Sequence, residues 1–75
     1  MQIEILSPNK ILYKGESEQI TLPGKKGQFQ ILKNHAPIFA LLTEGEIIIE
    51  KEKKFFISSG IVKGLNNKII ALVKE

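Results

Sequence analysis

Glu46-Ile47-Ile48-Ile49-Glu50-Lys51-Glu52-Lys53-Lys54-Phe55-Phe56-Ile57 is the stretch that decides the fold class. Three consecutive isoleucines, and then Phe-Phe-Ile, are branched and aromatic side chains that suit a pleated sheet. Between the two runs lies Lys51-Glu52-Lys53-Lys54, which has no Gly and must still turn; its charges keep that tip solvated. Side chains alternate across a strand, so Ile47 and Ile49 share one face and Ile48 takes the other. Phe55 and Ile57 likewise oppose Phe56. The pattern returns in 68–73, where Ile69, Ala71 and Val73 oppose Ile70 and Leu72. A sheet with one wet side carries polar residues on that side, yet these strands are partly apolar on both. If they are neighbours, Ile48, Phe56, Ile70 and Leu72 form one outer apolar patch, and such patches usually mark interfaces. The plainer reading is that a loop of the same chain covers them.

The rest of the chain reads the same way. Thirteen Ile and two Val are spread through it, with Gly, Pro and Asn at short intervals. The strand candidates are 2–6, 10–13, 16–22, 28–32, 38–42, 46–51, 54–58, 61–63 and 68–73. Short strands with frequent turn signals predict an all-β sandwich or barrel. No segment keeps a helical apolar period. Ser7-Pro8-Asn9 bends after the first strand. Pro23-Gly24 suits a type II turn with Gly24 at positive φ, and Gly27 closes the Lys25-Lys26 tip. Glu44-Gly45 and Asn66-Asn67 read as hairpin turns, the second of type I′. Ser58 and Ser59 read as a strand end before Gly60.

Seventy-five residues allow one domain. A domain of this size buries only about 60% of the surface its unfolded chain exposes, so its own stability is modest. There is no Cys, hence no disulfide and no thiolate ligand. The start, Met1-Gln2-Ile3-Glu4, has neither the basic opening nor the apolar run of a signal peptide. No apolar stretch approaches the roughly 18 residues of a membrane span. These features predict a soluble protein on the cytosolic side. All eleven bases are Lys and all eight acids are Glu, for a net charge of +3. Without Arg there is no planar fork to read guanine edges. The lysines also alternate with Glu instead of forming a basic stripe.

Reactive chemistry finds little material. His35 is the only His, and no Cys or Asp stands ready to complete a metal site. Ser58-Ser59-Gly60 lacks the flanking glycines of a nucleophile elbow. Glu44, Glu46, Glu50 and Glu52 fall at strand ends and turns, where solvated Glu is ordinary. Pro23-Gly24-Lys25-Lys26-Gly27 lacks the spacing of a phosphate-cradling loop. No catalytic residue, metal ligand or cofactor is therefore expected. One alternative is a biotin- or lipoyl-type carrier domain with a modified Lys at a hairpin, for which Lys51, Lys53 or Lys54 is available. The only Met is Met1, so the biotin-type signature is absent. Lys54-Phe55-Phe56 is a thin version of a single-strand nucleic-acid surface.

Three stretches together resemble the N-terminal domain of the ATP synthase epsilon subunit, called delta in mitochondria. The first is Ile3-Glu4-Ile5-Leu6-Ser7-Pro8 with Leu12-Tyr13-Lys14-Gly15-Glu16. The second is Leu22-Pro23-Gly24-Lys25-Lys26-Gly27-Gln28-Phe29, then Ile31-Leu32 and His35-Ala36-Pro37-Ile38. It is similar to the family's "LPG..G.FG.LPGHAPL" signature. The third is Phe56-Ile57-Ser58-Ser59-Gly60, similar to "F.ISGG", with Asn67-Lys68-Ile69-Ile70-Ala71-Leu72 as the closing strand. The match runs in register from residue 2 to about 73. Gln30 replaces the usual Gly after the Phe, Lys33-Asn34 replaces Pro-Gly, Ser59 replaces a Gly, and Gly64 stands where a branched residue is common. Asn34 still tolerates the left-handed conformation that Gly supplies.

The resemblance implies a flattened two-sheet β-sandwich of about ten short, mostly antiparallel strands. It implies a non-catalytic central-stalk subunit at the cytoplasmic face of the cell membrane, linking gamma to the c-ring and coupling ion-driven rotation to ATP synthesis. By family position, Gln28, Phe29, His35, Ala36, Pro37 and Ile38 would face the c-ring. Lys25, Lys26 and Lys33 would steer that contact. Ser7, Phe39 and Ala40 would face gamma, and Ile48, Phe56, Ile70 and Leu72 are added from the double-sided strands as a candidate for either gamma or the family's helical hairpin. Family members usually continue into two C-terminal helices that carry inhibition of hydrolysis and, in some, ATP binding. This chain reads to Lys74-Glu75, so the expectation is a single domain over 1–75 without that helical pair.

Overall fold

The computed structural model describes residues 1–75. It contains nine strands and no helix: β1 (Gln2–Leu6), β2 (Ile11–Glu16), β3 (Gln19–Gly24), β4 (Gly27–Leu32), β5 (Ile38–Leu42), β6 (Gly45–Ile49), β7 (Lys53–Ile57), β8 (Ser59–Leu65) and β9 (Lys68–Lys74).

One long, bent hairpin organises the molecule. β5 and β6 are two arms of a single bent strand, and β7 and β8 are the arms of the strand that returns along it. One register holds on both sides of the bends, from Ile49 opposite Lys53 to Ile38 opposite Gly64. The bends at Thr43-Glu44 and Ser58 carry this hairpin from one layer into the other. The expected hairpin turn at Glu44-Gly45 is therefore a corner. Its cause is β3, which pairs with Leu42 through Gly24 and with Ile48 and Ile49 through Thr21 and Ile20, so the chain keeps its direction. Ser58 is likewise a bend: β7 ends at Ile57, just before it, and the hairpin continues into β8. The Ser58 N–H and hydroxyl both donate to the Lys74 carbonyl, at 2.7 and 3.0 Å, and Ser59 already belongs to β8.

The two layers are β2-β1-β9-β8-β5 and β4-β3-β6-β7, joined at the single Gly24–Leu42 bridge. All pairs are antiparallel except β1 with β9. The opposite edges, β2 and β7, meet through Tyr13 and Phe55, whose ring centroids lie 5.8 Å apart and tilted by 58°. The Lys53 ammonium sits 5.2 Å from the Tyr13 ring centroid. This seam is thus closed by side chains, a tilted ring pair and a cation over one ring.

Strand alternation fills the space between the layers. Ile3, Ile5, Val62, Ile69 and Ala71 come from one side, and Ile20, Leu22, Ile47, Ile49 and Ile57 from the other, all in one buried cluster. Each Ile, Leu or Val among them contributes about 1.5–3 kcal/mol, which is how so short a chain holds two sheets.

The turns show which local readings hold. Asn66 and Asn67 take φ of 52° and 59° between Leu65 and Lys68, the mirror-image turn their side chains favour. Glu50 and Lys51 take φ of 51° and 63° without any such residue, a conformation that costs a side-chain-bearing residue energy. Contacts to the β2–β3 link offset it: Glu50 Oε2 accepts from the Glu18 N–H and lies 2.9 Å from Ser17 Oγ. Those two hydrogen bonds, the backbone one first, hold the Glu50 carboxyl below the ordinary carboxylate range. Pro23-Gly24 is not a turn. Gly24 stays in β3 opposite Gly27, and the chain reverses at Lys25-Lys26 with Gly27 at φ 125°. The Phe29 ring covers Gly24 so closely that a Cβ there would stand 2.7 Å from it.

Candidate functional site

The outward side of the five-stranded layer carries an unbroken apolar row. Pairing sets Leu41 opposite Ile61, Ile61 opposite Leu72, Leu72 opposite Leu6, and Leu6 opposite Ile11. Residues paired across strands share a face and touch their neighbours, so the row crosses all five strands. Ile11, Leu41 and Leu72 are 62%, 51% and 49% exposed, and Leu6 and Ile61 are half-buried. A second row beside it is mixed: Phe39, Lys63, Ile70, Glu4 and Lys14. At one end Leu6, Ser7, Pro8, Gly60, Leu72 and Lys74 line a shallow cleft of about 370 Å³.

The outward side of the four-stranded layer is different. Its cross-strand neighbours are Gln30, Thr21, Ile48 and Lys54 in one row, and Glu46 with Phe56 in another. Gln30 donates to Gln19 at 2.8 Å. Phe56 is 61% exposed but is paired with Glu46.

The residues expected to face gamma are thereby divided. Ser7, Phe39, Ile70 and Leu72 come together on the five-stranded face. Ala40 packs against the core. Ile48 and Phe56 lie on the other layer, so the single patch expected from the double-sided strands does not form. The cause is pairing: β9 lies between β1 and β8, and not beside β6 or β7.

The residues expected to face the c-ring are also divided. Gln28 is exposed at the start of β4 beside the Lys25-Lys26 tip, while His35, Ala36 and Pro37 follow the far end of that strand. Five residue steps along β4 and just past its end separate Gln28 from Lys33, roughly 16 Å at the usual rise. Phe29 and Ile38 turn inward against the core. Lys33, at the His35 end, lies 3.9 Å from Glu18. His35 Nδ1 is 2.7 Å from the Ala36 carbonyl oxygen, and its buried Nε2 has no hydrogen-bond partner.

For bond chemistry the surface offers little. No three His, Cys, Asp or Glu side chains converge. The carrier alternative falls on the β6–β7 tip, where Lys53 is engaged with Tyr13 and Lys51 and Lys54 are exposed. Alternation in 38–42 and 61–65 carried a signal for Leu41 and Ile61, since both strands are apolar on both sides. Leu6 and Ile11 lie outside those strands and become visible only through pairing.

A family model described as the ATP synthase delta/epsilon chain, beta-sandwich domain, matches residues 1–75. The ATP synthase epsilon chain of Sulfurimonas denitrificans is 41% identical over 78 residues, covering 99% of this chain and 60% of that protein. That of Chlorobaculum tepidum is 35% identical over 77 residues, covering 97% of this chain and 88% of that one. The chain spans about three fifths of the length of most such relatives. In fold, it is similar to a chain in the Euglena gracilis mitochondrial ATP synthase structure, with a TM-score of 0.86 at 22% identity over 97% of this chain and 49% of that one. A chain in the central stalk and c-ring structure of Tetrahymena thermophila mitochondrial ATP synthase gives 0.82 at 18% identity, over 99% and 63%.

Proposed function

The chain belongs to the ATP synthase delta/epsilon family, as its β-sandwich domain, and from that premise we propose that it is a non-catalytic subunit of the rotary central stalk. It binds gamma and the c-ring, and passes rotation driven by protons or sodium ions from the ring to gamma at the cytoplasmic face of the membrane. Residues 1–75 act in this as one domain. The observation that carries the reading is the family match over the whole of 1–75. It favours this reading over a carrier domain with a modified hairpin Lys.

The geometry supports a division of labour. The apolar row from Leu41 to Ile11, with Phe39, Ile70 and Ser7 beside it, is the gamma seat. Apolar area in register over five rigid strands gives a contact that resists slip, as transmission of torque requires. The c-ring contact takes the polar ends, with Gln28 near Lys25 and Lys26 at one end of β4 and His35 to Pro37 at the other. The lysines steer assembly more than they hold it.

The test is reconstitution of the chain with gamma and the c-ring. The wild type co-purifies with both, and its lysines carry no acyl group by mass spectrometry. A Gln28→Ala, His35→Ala double variant keeps its fold and loses the ring. Normal ring assembly by that variant would remove the c-ring assignment, and a lipoylated or biotinylated Lys would restore the carrier reading.

A further inference from the structure

We propose that Asn67, on the β8–β9 turn, is a positioning residue that holds the 33–37 loop closed over His35, with Gly64 providing the space in which the His35 ring rests. Only the functional consequence rests on the assignment of this loop to the c-ring.

The loop enters through Asn34, whose φ is 66°. Its N–H donates to Asn67 Oδ1 at 2.6 Å, and Asn67 Nδ2 donates back to Asn34 Oδ1 at 2.9 Å. Both ends of the Asn67 side-chain amide thus engage Asn34, its oxygen the backbone N–H and its nitrogen the side-chain oxygen. Asn67 is itself fixed by the sheet, since its carbonyl accepts the Gln2 N–H at 2.8 Å. The clasp therefore ties a loop to a rigid corner.

His35 explains why a clasp is needed. The Ala36 carbonyl only accepts, so in the neutral ring Nδ1 carries the proton and Nε2 presents a bare lone pair. That lone pair is buried without a partner. Opening the loop would let water donate to it, so this atom favours the open state. Closure must be sustained elsewhere: the Lys33 N–H donates to the Glu18 carbonyl at 3.0 Å where the loop begins, and the Asn34–Asn67 pair is the side-chain link beyond it. Gly64 is the second requirement. A Cβ there would stand 2.9 Å from His35 Cε1, 2.7 Å from Ile69 Cδ1 and 2.9 Å from Ile38 Cγ2, so even Ala displaces the ring or its neighbours.

Diethyl pyrocarbonate, which acylates an accessible unprotonated imidazole nitrogen, reads the state of the loop. His35 is the only His, so one peptide mass reports it. Asn67→Gly keeps a residue at ease with positive φ and removes the amide that makes both bonds; Asn34→Gly removes only the Oδ1 acceptor and keeps the backbone N–H that donates to Asn67. Asn67→Gly is expected to raise the rate of His35 acylation about ten-fold, the loss of two exposed hydrogen bonds, and Asn34→Gly about three-fold, the loss of one. Unfolding should stay cooperative, with the thermal midpoint lowered by roughly 5–10 °C in the first and about half that in the second. Asn67→Asp keeps the acceptor and loses the donor, and falls between Asn67→Gly and wild type. Wild-type rates in both glycine variants, or a wild-type His35 that reacts as fast as free N-acetylhistidine, would overturn the proposal. If Asn67→Gly no longer unfolds cooperatively, Asn34→Gly alone decides. Raised acylation with normal c-ring assembly keeps the clasp and removes the loop from the ring contact; raised acylation with lost assembly supports both.

Discussion

The two layers share one core and meet solvent with opposite characters. Outside the five-stranded layer, Leu41, Ile61, Leu72, Leu6 and Ile11 follow one another across every strand. Outside the four-stranded layer, Ile48 stands between Thr21 and Lys54, and Phe56 is opposite Glu46. The second face has apolar side chains too, but each is isolated among polar ones. Isolated exposed apolar residues are normal on any protein, whereas a contiguous row marks a surface made to be covered. The difference teaches that the register of apolar residues, more than their number, distinguishes the face proposed for docking.

The largest effect comes from breaking the wall on which both faces stand. Ile5 is fully buried, and Ile5→Ala is expected to cost about 3–4 kcal/mol in chemical denaturation. That is a large part of the stability available to a domain of this size. A loss below about 1 kcal/mol would mean that the layers are not packed as described.

Next comes the row itself. Leu72→Glu puts a charge at its middle and leaves the core untouched, so the melting midpoint should hold while affinity for gamma falls about a hundred-fold, a typical cost of breaking an interface anchor. Phe56→Glu, at a more exposed position on the other layer, sharpens the contrast. Its effect on the same binding isotherm should stay under about three-fold, as for substitutions outside an interface's hot region. Equal losses in the two variants would erase the distinction between the faces.

The smallest effect concerns the tip between β6 and β7. The Glu50 carboxyl titrates below its ordinary value because the Glu18 N–H and the Ser17 hydroxyl bond its charged form. A depressed folded-state value makes this stabilisation complete above about pH 4.3, the ordinary Glu value, and removes it as pH falls through the folded value. Glu50→Gln should therefore melt below wild type at neutral pH and converge with it in acid. Parallel curves at all pH values would mean that the carboxylate charge has no role in holding the tip.

Much of the fold was legible from alternation, and the reasons for the rest are local. The nine strand candidates correspond to the nine strands, because branched residues between charged or small breaks leave few other choices. Asn66-Asn67 announced its own turn. Glu44-Gly45 misled, because a corner in a continuing strand uses the same small and polar residues as a reversal. Only β3, far away in sequence, decides between the two. The gamma candidates Ile70 and Leu72 were readable as a second apolar face, but their partners Leu6 and Ile11 depend on the parallel β1–β9 pairing, which no local pattern encodes. The Asn34–Asn67 clasp was hidden for the same reason. Each Asn already has a sufficient local explanation as a left-handed residue.

The most direct test is methyl NMR of the Ile- and Leu-labelled chain titrated with gamma. The account predicts that the Leu6, Leu41, Ile61 and Leu72 methyls shift or broaden together while Ile48 stays where it was. Movement of Ile48 with the Leu41 and Leu72 methyls unmoved would contradict it.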